Sequence, residues 1–262
     1  MGENGGNVFV DAKRVTVLGG ANIAAYTYSE YLGGNVDVNA SESILVDGVS
    51  SVNPIIISAI AASNFSNGDA GSNTLETQQL TITNGGMITS ATLGSGKPGL
   101  VKVKANDILI SGRNPDTFAG GGLITNAIAT DTSAANIIVD TSSLRLENGG
   151  VVSSSTQSSS NAGNIIINAA DFVEIKGRDL RNFPSTVTSA SQLLDATLRE
   201  FFGTPDVVTG NSGSVTINTP KLQISDGGLI NLVSEGFGKS GRVEVNADSI
   251  ILNNQGGITI ET

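Results

Sequence analysis

Gly34-Asn35-Val36-Asp37-Val38-Asn39-Ala40 returns later in the chain as Gly163-Asn164-Ile165-Ile166-Ile167-Asn168-Ala169. The pattern is Gly-Asn-apolar-x-apolar-Asn-Ala, then a polar gap, then a second apolar-x-apolar. Weaker copies begin at Gly6, Gly71, Gly99, Ala135, Gly213 and Gly241. Subtracting successive starts gives steps of 28, 37, 28, 36, 28, 50 and 28 residues. A short unit of constant length alternates with a longer, variable one. Periods of roughly 20 to 50 residues mark solenoids and arrays, whose single units cannot bury their apolar faces alone.

Within each unit the apolar residues alternate at period two, which is the mark of a strand with one buried face. The first pair reads Val8/Val10, Val36/Val38, Val101/Val103, Ile137/Val139, Ile165/Ile167, Val215/Ile217 and Val243/Val245. The third unit departs, with Asn73 at the first site and Leu75 at the second. A second pair follows, as in Val15/Val17, Leu80/Ile82, Ile108/Ile110, Leu144/Leu146, Leu222/Ile224 and Ile250/Leu252. In two units it falls one residue later, at Ile44/Val46 and Val173/Ile175. A third apolar element follows a glycine turn, as in Gly85-Gly86-Met87-Ile88 and Gly227-Gly228-Leu229-Ile230. Glycine supplies the positive φ that such corners need. Three short strands per unit, joined by tight turns, predict one rung of a parallel β-helix. A β-sandwich would not repeat a 28-residue step four times. The expected fold is an all-β, right-handed parallel β-helix of eight coils forming a single repeat segment over 1–262. At a strand spacing of about 4.8 Å, it would span on the order of 40 Å.

Composition fits a stack of thin rungs. The chain of 262 residues holds 33 glycines, and only 4% of it is aromatic. Val, Ile and Leu, which favour strands, must therefore build the core. With no Cys and no His, disulfides, thiolate or His-based zinc sites, and Ser-His-Asp or Cys-His catalysis are excluded within this chain. A net charge of −10 and a pI near 4.4 argue against a nucleic-acid partner. No apolar run reaches the length of about 18 residues that a membrane helix requires, so no membrane span is expected. Met1 leads directly into repeat sequence at Gly2-Glu3-Asn4-Gly5-Gly6, with no signal peptide, which reads as a piece of a longer protein.

The extra residues of the long units are expected at one corner of alternate coils, after the second apolar pair, at roughly 49–70, 113–134 and 178–212. Insertions at one edge of a solenoid often form its binding face. The longest contains Leu194, Leu198, Phe201 and Phe202 at helical spacing. The spacing predicts one short amphipathic helix near 191–202, with Ser191 as N-cap and Gly203 as its stop. Its apolar stripe either packs on the coil wall or stands exposed as a partner-docking element.

Gly33-Gly34-Asn35-Val36-Asp37-Val38-Asn39-Ala40-Ser41-Glu42-Ser43-Ile44, Thr77-Gln78-Gln79-Leu80-Thr81-Ile82 and Asp226-Gly227-Gly228-Leu229-Ile230 together resemble the repeats of filamentous haemagglutinin-type exoproteins, the large cyanobacterial members above all. The resemblance covers essentially the whole chain and rests on the repeat consensus. It implies two-partner secretion: a long β-helical exoprotein crosses a dedicated outer-membrane transporter unfolded and folds outside. Family members are surface adhesins, haemagglutinins, haemolysins or the stalks of contact-dependent inhibition toxins. A secreted or cell-surface location and contacts with glycans or proteins on host or neighbouring cells follow as expectations. The family's secretion domain carries Asn-Pro motifs in a set context. Here Asn53-Pro54 and Asn114-Pro115 lie in insertions instead. The resemblance therefore places this chain in the repetitive shaft.

Carboxylate chemistry stays open, because some parallel β-helix proteins are polysaccharide lyases or hydrolases. The corner position five residues into each repeat holds Glu76, Lys104 and Asp140 in consecutive units, flanked by Asp11, Asn39, Asn168, Asn218 and Asn246. Stacked at rung spacing, these read as a polar column with its charges paired, and no catalytic, cofactor or metal residue is assigned. Calcium loops of the Asp-x-Asp-x-Asp-Gly type are missing. Lys176, Arg178, Asp179 and Arg181 form the most basic cluster and are the candidate contacts for an anionic sugar. Open strand edges at the two ends of a solenoid also predict end-to-end self-association. The overall expectation is a non-enzymatic shaft with adhesive insertions. The alternatives are a carbohydrate-active β-helix enzyme or a toxin stalk, and a degenerate gene remnant is a third, suggested by the abrupt start and by Asn73.

Overall fold

The computed structural model describes residues 4–114, 121–128 and 132–262. Its strands fall into two parallel stacks. One carries β1 (Val8–Leu18), β3 (Val36–Asp47), β5 (Asn73–Thr83), β7 (Val101–Ser111), β9 (Ile137–Glu147), β11 (Ile165–Lys176), β13 (Val215–Asn218) and β16 (Val243–Asn246), with β14 (Lys221–Ser225) and β17 (Ser249–Leu252) completing its last rungs. The other carries β2 (Asn22–Thr27), β4 (Ala59–Asn64), β6 (Met87–Thr92), β8 (Gly122–Ala127), β10 (Val151–Thr156), β12 (Thr186–Ser191), β15 (Leu229–Ser234) and β18 (Gly257–Glu261). Consecutive rungs therefore pair strand to strand, as a parallel β-helix requires. The helix α1 (Ala196–Phe202) is the only helix among the described residues.

The core consists of ladders. Val15, Ile44, Leu80, Ile108, Leu144, Val173, Leu222 and Ile250 follow one another in register through the first stack. Ile23, Ile60, Ile88, Leu123, Val152, Val187, Ile230 and Ile258 do the same through the second. All members of these ladders except Ile23, Ile250 and Ile258 are buried. Each fully buried Val, Ile or Leu contributes about 1.5–3 kcal/mol relative to exposure, so stability accumulates rung by rung.

The structure alters three sequence expectations. First, the two apolar pairs expected as separate strands form a single long strand in the first six rungs and separate only in the last two. In the seventh rung the break falls at Pro220, which has no N–H for the ladder. The late apolar pairs at Ile44 and Val173 have a simple cause: β3 and β11 each have 12 residues instead of 11, and the register shifts between Ala40 and Ser43 and between Ala169 and Phe172.

Second, the ranges 49–70, 113–134 and 178–212 are not wholly insertions, because each contains a strand of the second stack: β4, β8 and β12. Residues 115–120 and 129–131 of the middle range lie outside the described residues. The longest range is also split between two corners, one part preceding β12 and the larger part, with α1, following it. Third, Ser191 ends β12, paired with Thr156 and Ser234, and does not cap the helix. Asp195 is the cap instead, accepting from the amides of Thr197 and Leu198 at 3.0 and 3.1 Å. Gly203 stops the helix as expected, at φ 65°.

The alternation of short and long units has a steric origin. In the short rungs the corner between the stacks is a two-residue turn with positive φ at both positions, Asn84-Gly85, Asn148-Gly149 and Asp226-Gly227. The longer corners of the even rungs lean over these turns. A Cβ at Gly85 would meet the Asn114 backbone at 2.6 Å, and one at Gly149 would meet the Asp179 Cβ at 2.9 Å. At Gly227 it would strike the Arg178 guanidinium. A bare turn in one rung thus makes room for the longer corner of a neighbouring rung. Asn114 Nδ2 reaches past the third rung to the Pro54 carbonyl at 2.8 Å, and Arg113 reaches past the fifth to Asp179. The three long corners form one ridge.

Candidate functional site

Four surface features arise from this arrangement. The first is the polar column on the outer bend of the first stack. Asp11, Asn39, Glu76, Lys104, Asp140, Asn168, Asn218 and Asn246 stand in register one above another. Asn246, Asn218 and Asn168 each donate to the residue of the rung before at 2.8 Å, the chain ending on Asp140. Lys104 donates to Glu76 at 2.7 Å, and that hydrogen bond raises the lysine pKa above its ordinary value. An open groove of about 450 Å³ runs beside Glu76, Lys104 and Asp140. Glu76 and Lys104 are exposed and paired with each other, and the half-buried Asp140 accepts from Asn168, a combination that satisfies side chains at little net gain.

The second feature is the basic cluster, which the structure divides. Lys176 turns to the first stack and pairs with Glu147 at 3.1 Å and Glu174 at 3.6 Å. The hydrogen bond to Glu147 is the main cause of its raised pKa. Arg178, Asp179 and Arg181 instead line a corner cleft of about 320 Å³ with Arg113, which belongs to the fourth rung. The Arg113 and Asp179 side chains are 16% and 11% exposed and lie 3.7 Å apart. Burial draws the Arg113 pKa down and Asp179 opposes that shift. The guanidinium also stands 4.9 Å over the Phe183 ring. Asp179 accepts from the amides of Arg181 and Phe183 at 2.9 and 2.8 Å, and Arg178 donates to the Asn182 carbonyl at 3.0 Å. Asp179 is therefore the keystone of its loop and a poor candidate for a ligand contact. Arg178 and Arg181 remain at the rim of the cleft.

The third feature is the helix. None of its residues is buried; Leu198 is 41% and Phe201 79% exposed, while Leu194 precedes the helix and Phe202 is half-buried. The two phenylalanine rings meet edge to face at 4.9 Å. Leu198 and Phe201 face solvent while Leu194 and Phe202 are half-buried, and the loop is held by its ends. Leu193 N–H donates to Glu235 at 2.7 Å, and the buried Val208 accepts from Phe237 N at 3.2 Å.

The fourth feature has no counterpart among the sequence expectations. Tyr28 lies parallel to Phe65, with ring centroids 5.0 Å apart and planes 14° apart, and Tyr26 meets the same Phe65 ring edge-on at 5.6 Å. Tyr28 is 73% exposed. The Tyr26 hydroxyl donates to Asn22 at 3.1 Å, and burial, followed by the nearness of Tyr28, raises its pKa. Beneath the rings, the buried Asn64 Nδ2 lies within 3.2–3.4 Å of the carbonyls of Ser29, Tyr31 and Asp69, while its Oδ1 accepts from Ser66 N at 2.7 Å. One side chain thereby ties the loops of two rungs together. The usable sequence signal was arithmetic. Tyr28 and Phe65 differ by 37 residues, the step between the repeats that begin at Gly34 and Gly71, and all three tyrosines fall within Tyr26–Tyr31.

The platform closes one end of an uncharged wall. Strands β2, β4, β6, β8, β10, β12 and β15 contain no Lys, Arg, Asp or Glu. No family model matches this chain, and neither a curated protein nor a solved structure does.

Proposed function

We propose that this chain is a non-enzymatic shaft segment of a secreted, cell-surface filamentous adhesin of the haemagglutinin-like exoprotein type, with adhesive contacts carried on loops at its corners. The carrying observation is the pair of parallel stacks, of ten and eight strands, that run through all eight rungs with their core ladders in register. Such a body supplies reach and stiffness, and its loops can vary without disturbing the ladders. The repeat resemblance supports the same reading and adds an outer-membrane two-partner-secretion transporter as the partner of the whole protein. Glycans or proteins of host or neighbouring cells are the expected targets.

A carbohydrate-active enzyme is the second reading, favoured by the groove beside Glu76, Lys104 and Asp140. Against it stands the pairing of Glu76 with Lys104 and of Asp140 with Asn168, which leaves those carboxylates in a repeating structural ladder. A glycan array compares the intact chain with one whose corner loops at 49–57, 178–185 and 192–209 are shortened to tight turns. Loss of the bound glycans on trimming supports loop-borne adhesion. Identical binding by both chains refutes the loops as the contact.

A further inference from the structure

The aromatic platform on the first two rungs has the features of a ligand subsite. Phe65 backs Tyr28, whose ring lies parallel to it, while Tyr26 meets it edge to face. The Tyr26 hydroxyl is fixed on Asn22, which itself donates to the Gly20 carbonyl at 3.0 Å. Phe65 N–H donates to the Thr27 carbonyl at 2.8 Å, locking the two loops in register. The rings are held before any ligand arrives, so little side-chain entropy is lost on binding. Rigid, half-apolar tyrosine rings give large contact area at low entropic cost.

A flat ring with a polar rim suits a ligand of the same kind. A pyranose offers one, with axial C–H groups on its face and hydroxyls around its edge. Charge then selects among sugars. No Lys or Arg occurs between Val15 and Gly96, while Glu30 and Asp69 lie on the two platform loops. Lys97 of the next rung lies beside Asp69, its backbone N–H donating to that carboxylate at 2.8 Å, so two carboxylates stand against one lysine and disfavour a uronate or sulfated sugar.

We propose that Tyr28, Phe65 and Tyr26 form a subsite that stacks the apolar face of an uncharged pyranose in a cell-surface glycan. The proposal rests on the adhesin reading and names its ligand class at a place outside the corner loops 49–57, 178–185 and 192–209.

The chain has no Trp and its three tyrosines all lie within Tyr26–Tyr31, so tyrosine emission reports on this region, and its loss in Tyr28→Ala assigns the signal to the platform. Cellotetraose and lactose serve as neutral probes and tetragalacturonate as the acidic one, with affinity read by calorimetry and location by tyrosine emission. A neutral probe is expected to bind saturably and to change the emission. Tyr28→Ala and Phe65→Ala are each expected to weaken binding about tenfold, and Tyr26→Phe to keep it. Because Tyr28 is mostly exposed, its replacement should leave the fold intact, which circular dichroism checks. Tetragalacturonate binding as tightly as the neutral probes overturns the proposal. So does neutral binding that survives both alanine variants, an outcome that keeps the adhesin reading and moves its site elsewhere. Tyrosine-dependent dimerisation in light scattering also overturns it, because the platform would then be a contact between copies. Failure of every glycan, neutral or acidic, to bind on an array overturns both the subsite and glycan adhesion.

Discussion

Asn73 occupies a core ladder between Val36 and Val101, both fully buried, and is itself fully buried. Its Nδ2 donates to the Thr89 carbonyl at 2.7 Å, but its Oδ1 has no hydrogen-bond partner. Asn73→Val restores the apolar residue of the neighbouring rungs at similar size. The gain from burying valine is about 1.5–3 kcal/mol. Removing the unsatisfied Oδ1 contributes about 1–3 kcal/mol, and depriving the Thr89 carbonyl of its donor costs about the same. Those two terms offset, so the variant should be more stable by about 2 kcal/mol. For a chain of this size that corresponds to roughly 4–8 °C in Tm. Urea unfolding followed by circular dichroism measures it, with Val101→Asn as the reverse control, expected to destabilise. A lower urea midpoint for Asn73→Val would refute the reasoning. It would mean that the Asn73–Thr89 hydrogen bond holds the two stacks together more firmly than a ladder valine can.

Four other outcomes follow from the same packing. Gly149→Ala should destabilise by several kcal/mol, since the turn has φ 84° and a Cβ there meets Asp179 and the Arg113 Nε; Gly19→Ala, with open space at its Cβ, should cost less in the same urea assay. Phe201→Ser should change stability by no more than about 0.5 kcal/mol, because the helix buries nothing; a larger loss in thermal unfolding would place the ring in a packed interface. Tyr26 and Lys176 both have folded pKa values above their ordinary ones. Their contributions are present below the unfolded pKa and lost as pH rises through the folded one, so stability should decline above about pH 10. Glu147→Gln and Tyr26→Phe should each make that decline smaller in urea unfolding repeated across pH. Finally, Ile250, Leu252 and Ile260 are left half-exposed on the last rung, so the 262-residue chain should associate end to end with rising concentration. A strict monomer in light scattering at high concentration would contradict this.

The repeat was legible because it depends on local chemistry. Alternating Val and Ile mark the strands, and Asn-Gly-Gly marks turns whose backbone few other residues adopt. The one-residue delay at Ile44 and Val173 was visible too, and became a bulge. Contacts between rungs were harder to see. Nothing near Arg113 announces that it crosses the fifth rung to Asp179, because that contact exists only where Gly149 lacks a side chain. Ser191 read as a helix cap because it precedes an apolar stripe, but pairing with Thr156 and Ser234 holds it in the sheet. The basic cluster read as one patch because Lys176 and Arg178 are close in sequence. They lie on either side of a corner, and only Arg178 faces the cleft. The tyrosine platform needs two rungs superposed before it exists.

Attachment without catalysis is the role proposed for this shaft. The most direct test is to load the purified chain onto immobilised neutral and acidic polysaccharides and to assay the same samples for newly formed sugar ends. Retention on a polysaccharide with no new ends over prolonged incubation is the expected result. New ends that disappear in Glu76→Gln or Asp140→Asn would contradict it, and would make the groove beside Lys104 an active site.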